Sequence, residues 1–228
     1  MAIERISAIG ERTALGGLIP QYREFAYFVY KYLLNGELEW IRIADPKARQ
    51  LDDIQYSTKS ELHAYQVKWS QKGTNFSYLN FIRLLPKLAA SWKGIRDDNS
   101  GKRVIPHIIT NRDPSKHDHV RVNGKKLGSF YDLNRQVLSK IKTAFPIQRK
   151  WQPILKDLRE YSKLEKSEFL QFISEFDFHP SYPEKKIEVE KIKSSNEVED
   201  LSYLTQFLLE QAGGKDRNVQ FSRERIIL

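Results

Sequence analysis

The chain has 228 residues, 40% of them hydrophobic and 29% charged, with a formal net charge of +9 and a pI near 9.5. That length supports one sizeable core, or a core with a helical annex, and the composition is that of a globular protein rather than a disordered or fibrous one. No run of 18 apolar residues is present, the first residues lack the apolar centre of a signal peptide, and cysteine is absent, so a membrane span, a disulfide framework and a thiolate metal site are excluded. A reducing cytoplasm suits a cysteine-free chain. The basic excess favours an anionic partner, because each phosphate neutralised by Lys or Arg releases counterion.

In chain order, residues 1–20 contain Gly10, Gly16, Gly17 and Pro20 and read as irregular. Residues 21–35 place Tyr22, Phe25, Ala26, Val29, Tyr32 and Leu33 at helical spacing, and Asn35-Gly36 is the expected stop. Residues 37–44 read as a strand buried on both faces, broken by Asp45-Pro46.

The stretch 51–70 is expected to form two strands around a polar turn. Asp52-Asp53-Ile54-Gln55-Tyr56 opens with two carboxylates and enters an apolar/polar alternation, residues 57–62 supply the turn, and His63 to Trp69 alternate again. A period of two puts Tyr65, Val67 and Trp69 on one face and Ala64, Gln66 and Lys68 on the other. A carboxylate at the start of the first strand then meets Gln66 and Lys68 across the pair. Read blandly, a Q-x-K is the polar face of a half-buried strand and two aspartates are a turn. Read chemically, an acid, an amide oxygen and an ammonium converge, which is what a divalent cation and a phosphodiester under attack by water require.

A polar loop follows at 70–75, then a helix over 76–95 with Phe81, Leu84, Leu85, Leu88 and Trp92 as its stripe and Pro86 as a kink. A strand is expected over 104–111, near an edge or bulged because of Pro106. The loop from Asn111 to Gly128 carries Arg112, Lys116, Arg121, Lys125 and Lys126, and with Lys72 these are the candidate phosphate contacts. His107, His117 and His119, the last two flanking Asp118, do not make a metal site on this reading, since a bare H-x-H in a loop lacks a scaffold and a third ligand. A helix is expected over 130–145.

These elements and residues resemble the PD-(D/E)XK nuclease superfamily, in its Mrr-like Q-x-K branch. The acid is Asp52 or Asp53, and the second half of the motif is Gln66-Val67-Lys68. The order helix, three strands, helix, strand is the αβββαβ core of that restriction-endonuclease-like fold, a mixed α/β sheet flanked by helices. GLIPQYREFAYFVYKYLL, DDI with HAYQVKWS, and a strand ending in TNR resemble more narrowly the effector nuclease domains fused to bacterial antiviral STAND NTPases. The resemblance implies a DNA endonuclease whose Mg²⁺, replaceable by Mn²⁺, is held by Asp53 or Asp52 and the Gln66 carbonyl, with Lys68 at the attacking water. Helical Glu24 is implied as an accessory acid, although a solvated first-turn glutamate explains it equally. The departure, Gln for the second acid, leaves one carboxylate fewer for the metal. Double-stranded DNA as substrate, a homo-oligomer when active, and fusion to a C-terminal sensor or NTPase domain follow as expectations.

Residues 146–228 are expected to be a helical annex to the 1–145 core. Two helices are read over 150–178, separated at Ser162 to Lys166, then a break at His179 to Pro183, a charge run over 184–200 and a last helix from Leu201 to Gln211. The apolar end Ile226-Ile227-Leu228 suggests a module of a longer protein.

Overall fold

A computed structural model describes residues 19–29, 31–32, 36–43, 48–141 and 146–183, and the backbone alone of 220–222. The expected irregular start, the Asp45-Pro46 break, the charge run, the helix from Leu201 and the apolar end lie outside the described residues.

Helix α1 covers residues 19–29 and 31–32. The strands that follow are β1 (Trp40–Ile43), β2 (Ile54–Ser57) and β3 (Glu61–Val67), then helix α2 (Tyr78–Asp98) and strand β4 (Arg103–Ile109). The hairpin β5 (Val120–Val122) and β6 (Lys125–Gly128) precedes α3 (Phe130–Leu133), a π-helical stretch Asn134–Leu138 and the short α4 (Ser139–Ile141). Helices α5 (Gln152–Ser162) and α6 (Lys166–Glu175), strand β7 (Asp177–His179) and strand β8 (Gln220–Ser222) complete the described chain.

The main sheet has the order β7-β4-β3-β2-β1-β8. β1, β2 and β3 pair with one another antiparallel, while β3, β4 and β7 run parallel, so the sheet is mixed. This is an α/β fold. The helix β3 needs in order to pair in parallel with β4 is α2, whose N-terminus is closed by a capping box between Ser77 and Asn80. Pro106 sits inside β4, yet β7 pairs only with His107–Ile109, so at Pro106 the strand has β3 as its neighbour and the missing N–H costs no ladder bond to β7.

Alternation along β2 and β3 divides the core. Ile54, Tyr56, Tyr65 and Val67 pack with Phe25, Ala26, Phe28 and Val29 of α1 on one face. Leu62 and Ala64 pack with Phe81, Leu85, Leu88 and Trp92 of α2 on the other. Trp151 just before α5, Ile154 and Leu158 within it, and Phe169, Phe172 and Phe176 of α6 and its end belong to this second cluster. The stretch expected as an annex thus shares the core of α2, and through β7 it adds a strand to the sheet.

The expected basic loop is in part a hairpin. Asn123 and Gly124 both have positive φ, at 49° and 76°, the signature of a two-residue type I′ turn, and Val120 and Val122 turn into the core. Among the described residues no helix is long and apolar enough to cross a membrane.

Candidate functional site

The start of β2 and the end of β3 meet on the α2 face of the sheet. Ile54 pairs with Tyr65 and Gln55 with Ala64, so one step before β2 Asp53 comes level with Gln66. Its Oδ2 accepts a hydrogen bond from the backbone N–H of Val67 at 2.6 Å and another from the Gln66 side-chain amide. Gln66 is 2% exposed, and its carbonyl oxygen in turn accepts from the Gln50 amide. Gln50 is tied to α2, since its backbone N–H donates to Ser91 Oγ at 3.0 Å. A chain of contacts thus runs from α2 through Gln50 and Gln66 to Asp53.

Lys68 lies just beyond β3 and its backbone is held on both sides. Its N–H donates to the Ile109 carbonyl at 2.8 Å, and its own carbonyl accepts from Thr110 Oγ1 at 2.7 Å. Two residues on, the Asn111 side chain accepts from Ser70 N–H at 3.0 Å and donates to the Ser70 carbonyl at 2.8 Å. The paired ends of β3 and β4 are therefore clamped, which fixes where the Lys68 side chain leaves the sheet.

The electrostatics follow from burial. Desolvation pushes the Asp53 carboxyl up to about 6, against the opposing pull of the Val67 N–H, Lys68 and Gln66, while the neighbouring Asp52 charge pushes the same way as burial. Burial lowers Lys68, Asp53 and Asp52 draw it back up, and the cations Lys87 and Arg112 lower it further. The structure accordingly brings together Asp52, Asp53, Gln66 and Lys68, with Asp53 making the direct bonds to Gln66 and Val67. Lys87 of α2 and Arg112 complete the charge set.

Glu24 is placed differently. It comes from α1, whose apolar side packs on the opposite face of the sheet, and it is 2% exposed with Oε2 accepting from the Tyr182 hydroxyl at 3.2 Å. Burial and the Glu24 charge raise the Tyr182 phenol above its ordinary range, which keeps it a donor.

The expected phosphate contacts divide into two groups. Arg112 is half-buried, with its guanidinium 4.7 Å from the Phe76 ring, its Nε without a hydrogen-bond partner among the described residues, and its pKa lowered by burial. Lys72, Lys116, Arg121, Lys125 and Lys126 are exposed, the last three on the β5–β6 hairpin. Lys116 lies 5.1 Å from the Tyr131 ring.

His117 and His119 are both exposed, and the Asp118 between them is structural. Its carboxylate accepts from Tyr78 N–H at 2.6 Å and from Phe130 N–H at 2.8 Å, so one aspartate closes the first turns of α2 and α3. Sequence reasoning did not find Gln50, and it marked Thr110 and Asn111 only as part of the TNR strand end, without a role. Each acts through a partner 16 to 42 residues away, for which local pattern holds no signal. Compared with protein-family models the chain matches none, and compared with curated proteins it matches none either.

Proposed function

We propose that the chain is a metal-dependent DNA endonuclease, and the observation that carries this reading is the convergence of Asp53, Asp52, Gln66 and Lys68 at the paired ends of β2 and β3. Asp52 and Asp53 offer carboxylate oxygens and Gln66 an amide oxygen, the hard donors that suit Mg²⁺ or Mn²⁺. In the described arrangement the Gln66 oxygen faces Gln50 and its NH₂ faces Asp53. Holding the cation with this amide requires it to turn over, with the Gln50 side chain turning in step. When bound, such an ion supplies charge neutralisation at the phosphodiester and a water of lowered pKa.

The remaining roles belong to this chain's own groups. Lys68, kept half-buried and clamped by Ile109 and Thr110, holds the attacking water and offsets negative charge developing on the phosphate. Arg112, close enough to Lys68 to lower its pKa, adds positive charge on the side from which a phosphate would approach. Exposed Arg121, Lys125 and Lys126 give a sequence-independent hold on the duplex backbone. Cutting both strands calls for two such sites, hence a homo-oligomer in the active state. The resemblance to antiviral effector nucleases supports a role in bacterial anti-phage defence, in the cytoplasm, with a sensor or NTPase domain as fusion partner.

The alternative is a nuclease-like module that grips DNA without cutting it, favoured by the Gln66 amide standing where most of the superfamily has an acid. Incubation of supercoiled plasmid with the protein in Mg²⁺, and in parallel in EDTA, separates the two. Nicking in Mg²⁺ that stops in EDTA is expected. Retarded plasmid with no nicking under either condition, at protein concentrations that saturate binding, would establish the binding module instead.

A further inference from the structure

On the opposite face of the sheet, three neighbouring strands bring together histidines that lie far apart in sequence. His63 of β3, His107 of β4 and His179 of β7 form a row, with His63 Nδ1 to His107 Nε2 at 3.0 Å and His107 Nδ1 to His179 Nε2 at 3.0 Å. Asp177 pairs with His107 across the parallel β4–β7 register, and its Oδ2 lies 3.9 Å from His107 Nδ1 and 3.7 Å from His179 Nε2.

We infer that His107 Nδ1, His179 Nε2 and Asp177 Oδ2 form a binding site for a late first-row divalent cation of the zinc class, distinct from the oxygen-rich Asp53 group. The three atoms make a triangle with sides of 3.0, 3.7 and 3.9 Å, and the point equidistant from them lies about 2.1 Å from each, the length of a Zn–N or Zn–O bond. Two imidazoles and one carboxylate select Zn²⁺, Cu²⁺, Ni²⁺ or Co²⁺ over Mg²⁺ and Ca²⁺, which prefer all-oxygen shells. The side chains of Asp177 and His179 keep 35% and 32% of their exposure, so an ion can reach them from solvent.

Packing and hydrogen bonds fix the His107 ring and its tautomer. His107 is 5% exposed and lies flat against Tyr65, centroids 4.1 Å apart and 5° from parallel. With Nδ1 given to a metal, the proton of His107 sits on Nε2 and donates to His63 Nδ1. That places the proton of His63 on Nε2, 3.3 Å from Glu61 Oε2. A carboxylate at the end of a histidine relay fixes the tautomer of the ligand and raises its basicity, the usual outer-shell support of a metal-bound histidine. His63 and Glu61 are therefore positioning residues, and His107, His179 and Asp177 the ligands. This site is independent of the Asp53 group, because the two occupy opposite faces of the sheet and share no residue.

Titration of the metal-free full chain with Co²⁺, followed by its visible d–d absorption, and with Zn²⁺ by calorimetry tests the site. With the Asp53 group kept occupied by a large excess of Mg²⁺ throughout, one equivalent of each is expected, and Co²⁺ is displaced by Zn²⁺. His179→Ala removes an accessible ligand and should weaken Zn²⁺ binding by more than about 100-fold, and His63→Ala by about 10- to 100-fold through loss of outer-shell support. His117→Ala with His119→Ala, and Lys68→Ala, should leave both titrations unchanged. A Co²⁺ spectrum and Zn²⁺ affinity retained in His179→Ala and in Asp177→Asn would overturn the site, as would the absence of any Zn²⁺ binding by the wild-type chain.

Discussion

Asp53 Oδ2 accepts the backbone N–H of Val67 at 2.6 Å, a bond that ties the start of β2 to the middle residue of the Gln66-Val67-Lys68 triplet. The carboxylate is thereby held on the same surface as the Gln66 amide while burial raises its pKa to about 6 from an ordinary 3.8. A raised carboxyl stabilises the fold fully only below its unfolded value, and that contribution is lost as pH rises through about 6. Asp53→Asn keeps an acceptor for Val67 N–H and removes the charge. It should therefore be more stable than wild type at pH 8, by up to about 3 kcal/mol, and nearly equal to it at pH 4. Chemical denaturation at the two pH values checks this. A variant less stable at pH 8 would mean that the negative charge is satisfied in the metal-free fold.

The same shift sets the pH dependence of metal loading. Asp53 must be ionised to act as a ligand, so the rise in melting temperature produced by Mg²⁺ should grow between pH 5 and pH 7.5, with a midpoint near the raised pKa of about 6. Melting curves at fixed Mg²⁺ across that range give the result directly.

Gln66→Glu restores the acid of the commoner motif. A second buried carboxylate against Asp53 drives the two pKa values apart and destabilises the metal-free fold at neutral pH. Added Mg²⁺ relieves that repulsion, so the Mg²⁺-induced stabilisation should exceed that of wild type. A Mg²⁺ titration showing equal or smaller stabilisation counts against position 66 as a ligand.

Leu158 is fully buried in the core shared by α2, α5 and α6. Leu158→Ala should cost about 2–5 kcal/mol of stability, as deep cavities in a single core do. Calorimetric unfolding should remain one transition in both proteins. Two transitions, with only one affected, would separate residues 146–183 from the rest of the sheet and its helices.

Replacing Arg121, Lys125 and Lys126 by Ala should weaken duplex binding alike for unrelated sequences, and should flatten the slope of log K against log salt by up to about 0.9 for each phosphate that the variant no longer neutralises. Fluorescence anisotropy at several salt concentrations reads both effects. An unchanged slope would count against the hairpin as a phosphate contact and leave Lys87 and Lys93 of α2 as the proposed contacts.

Strong local periodicity made much of this fold legible. The alternation from His63 to Trp69 assigns Tyr65 and Val67 to one face and Gln66 and Lys68 to the other, and the structure divides them the same way. The β5–β6 hairpin carried the Asn123-Gly124 signal of a tight turn, but its basic residues read more loudly as loop. Strand β7 had no such trace. Three residues directly after α6 become a strand only because β4 offers an open parallel edge, a tertiary cause. For the same reason the partners of His107 could not be read locally: His117 and His119 are nearer in sequence, whereas His63 and His179, 44 and 72 residues away, supply the imidazoles in contact.

The Lys68 side chain leaves the clamped end of β3 half-buried beside Asp53 rather than inside the core. Nicking of supercoiled plasmid in Mg²⁺ by Lys68→Ala, run beside its melting curve, tests whether this ammonium takes part in cleavage. Cleavage should fall by at least about 100-fold with a melting temperature close to wild type. A folded Lys68→Ala protein that cuts as fast as wild type would contradict that role.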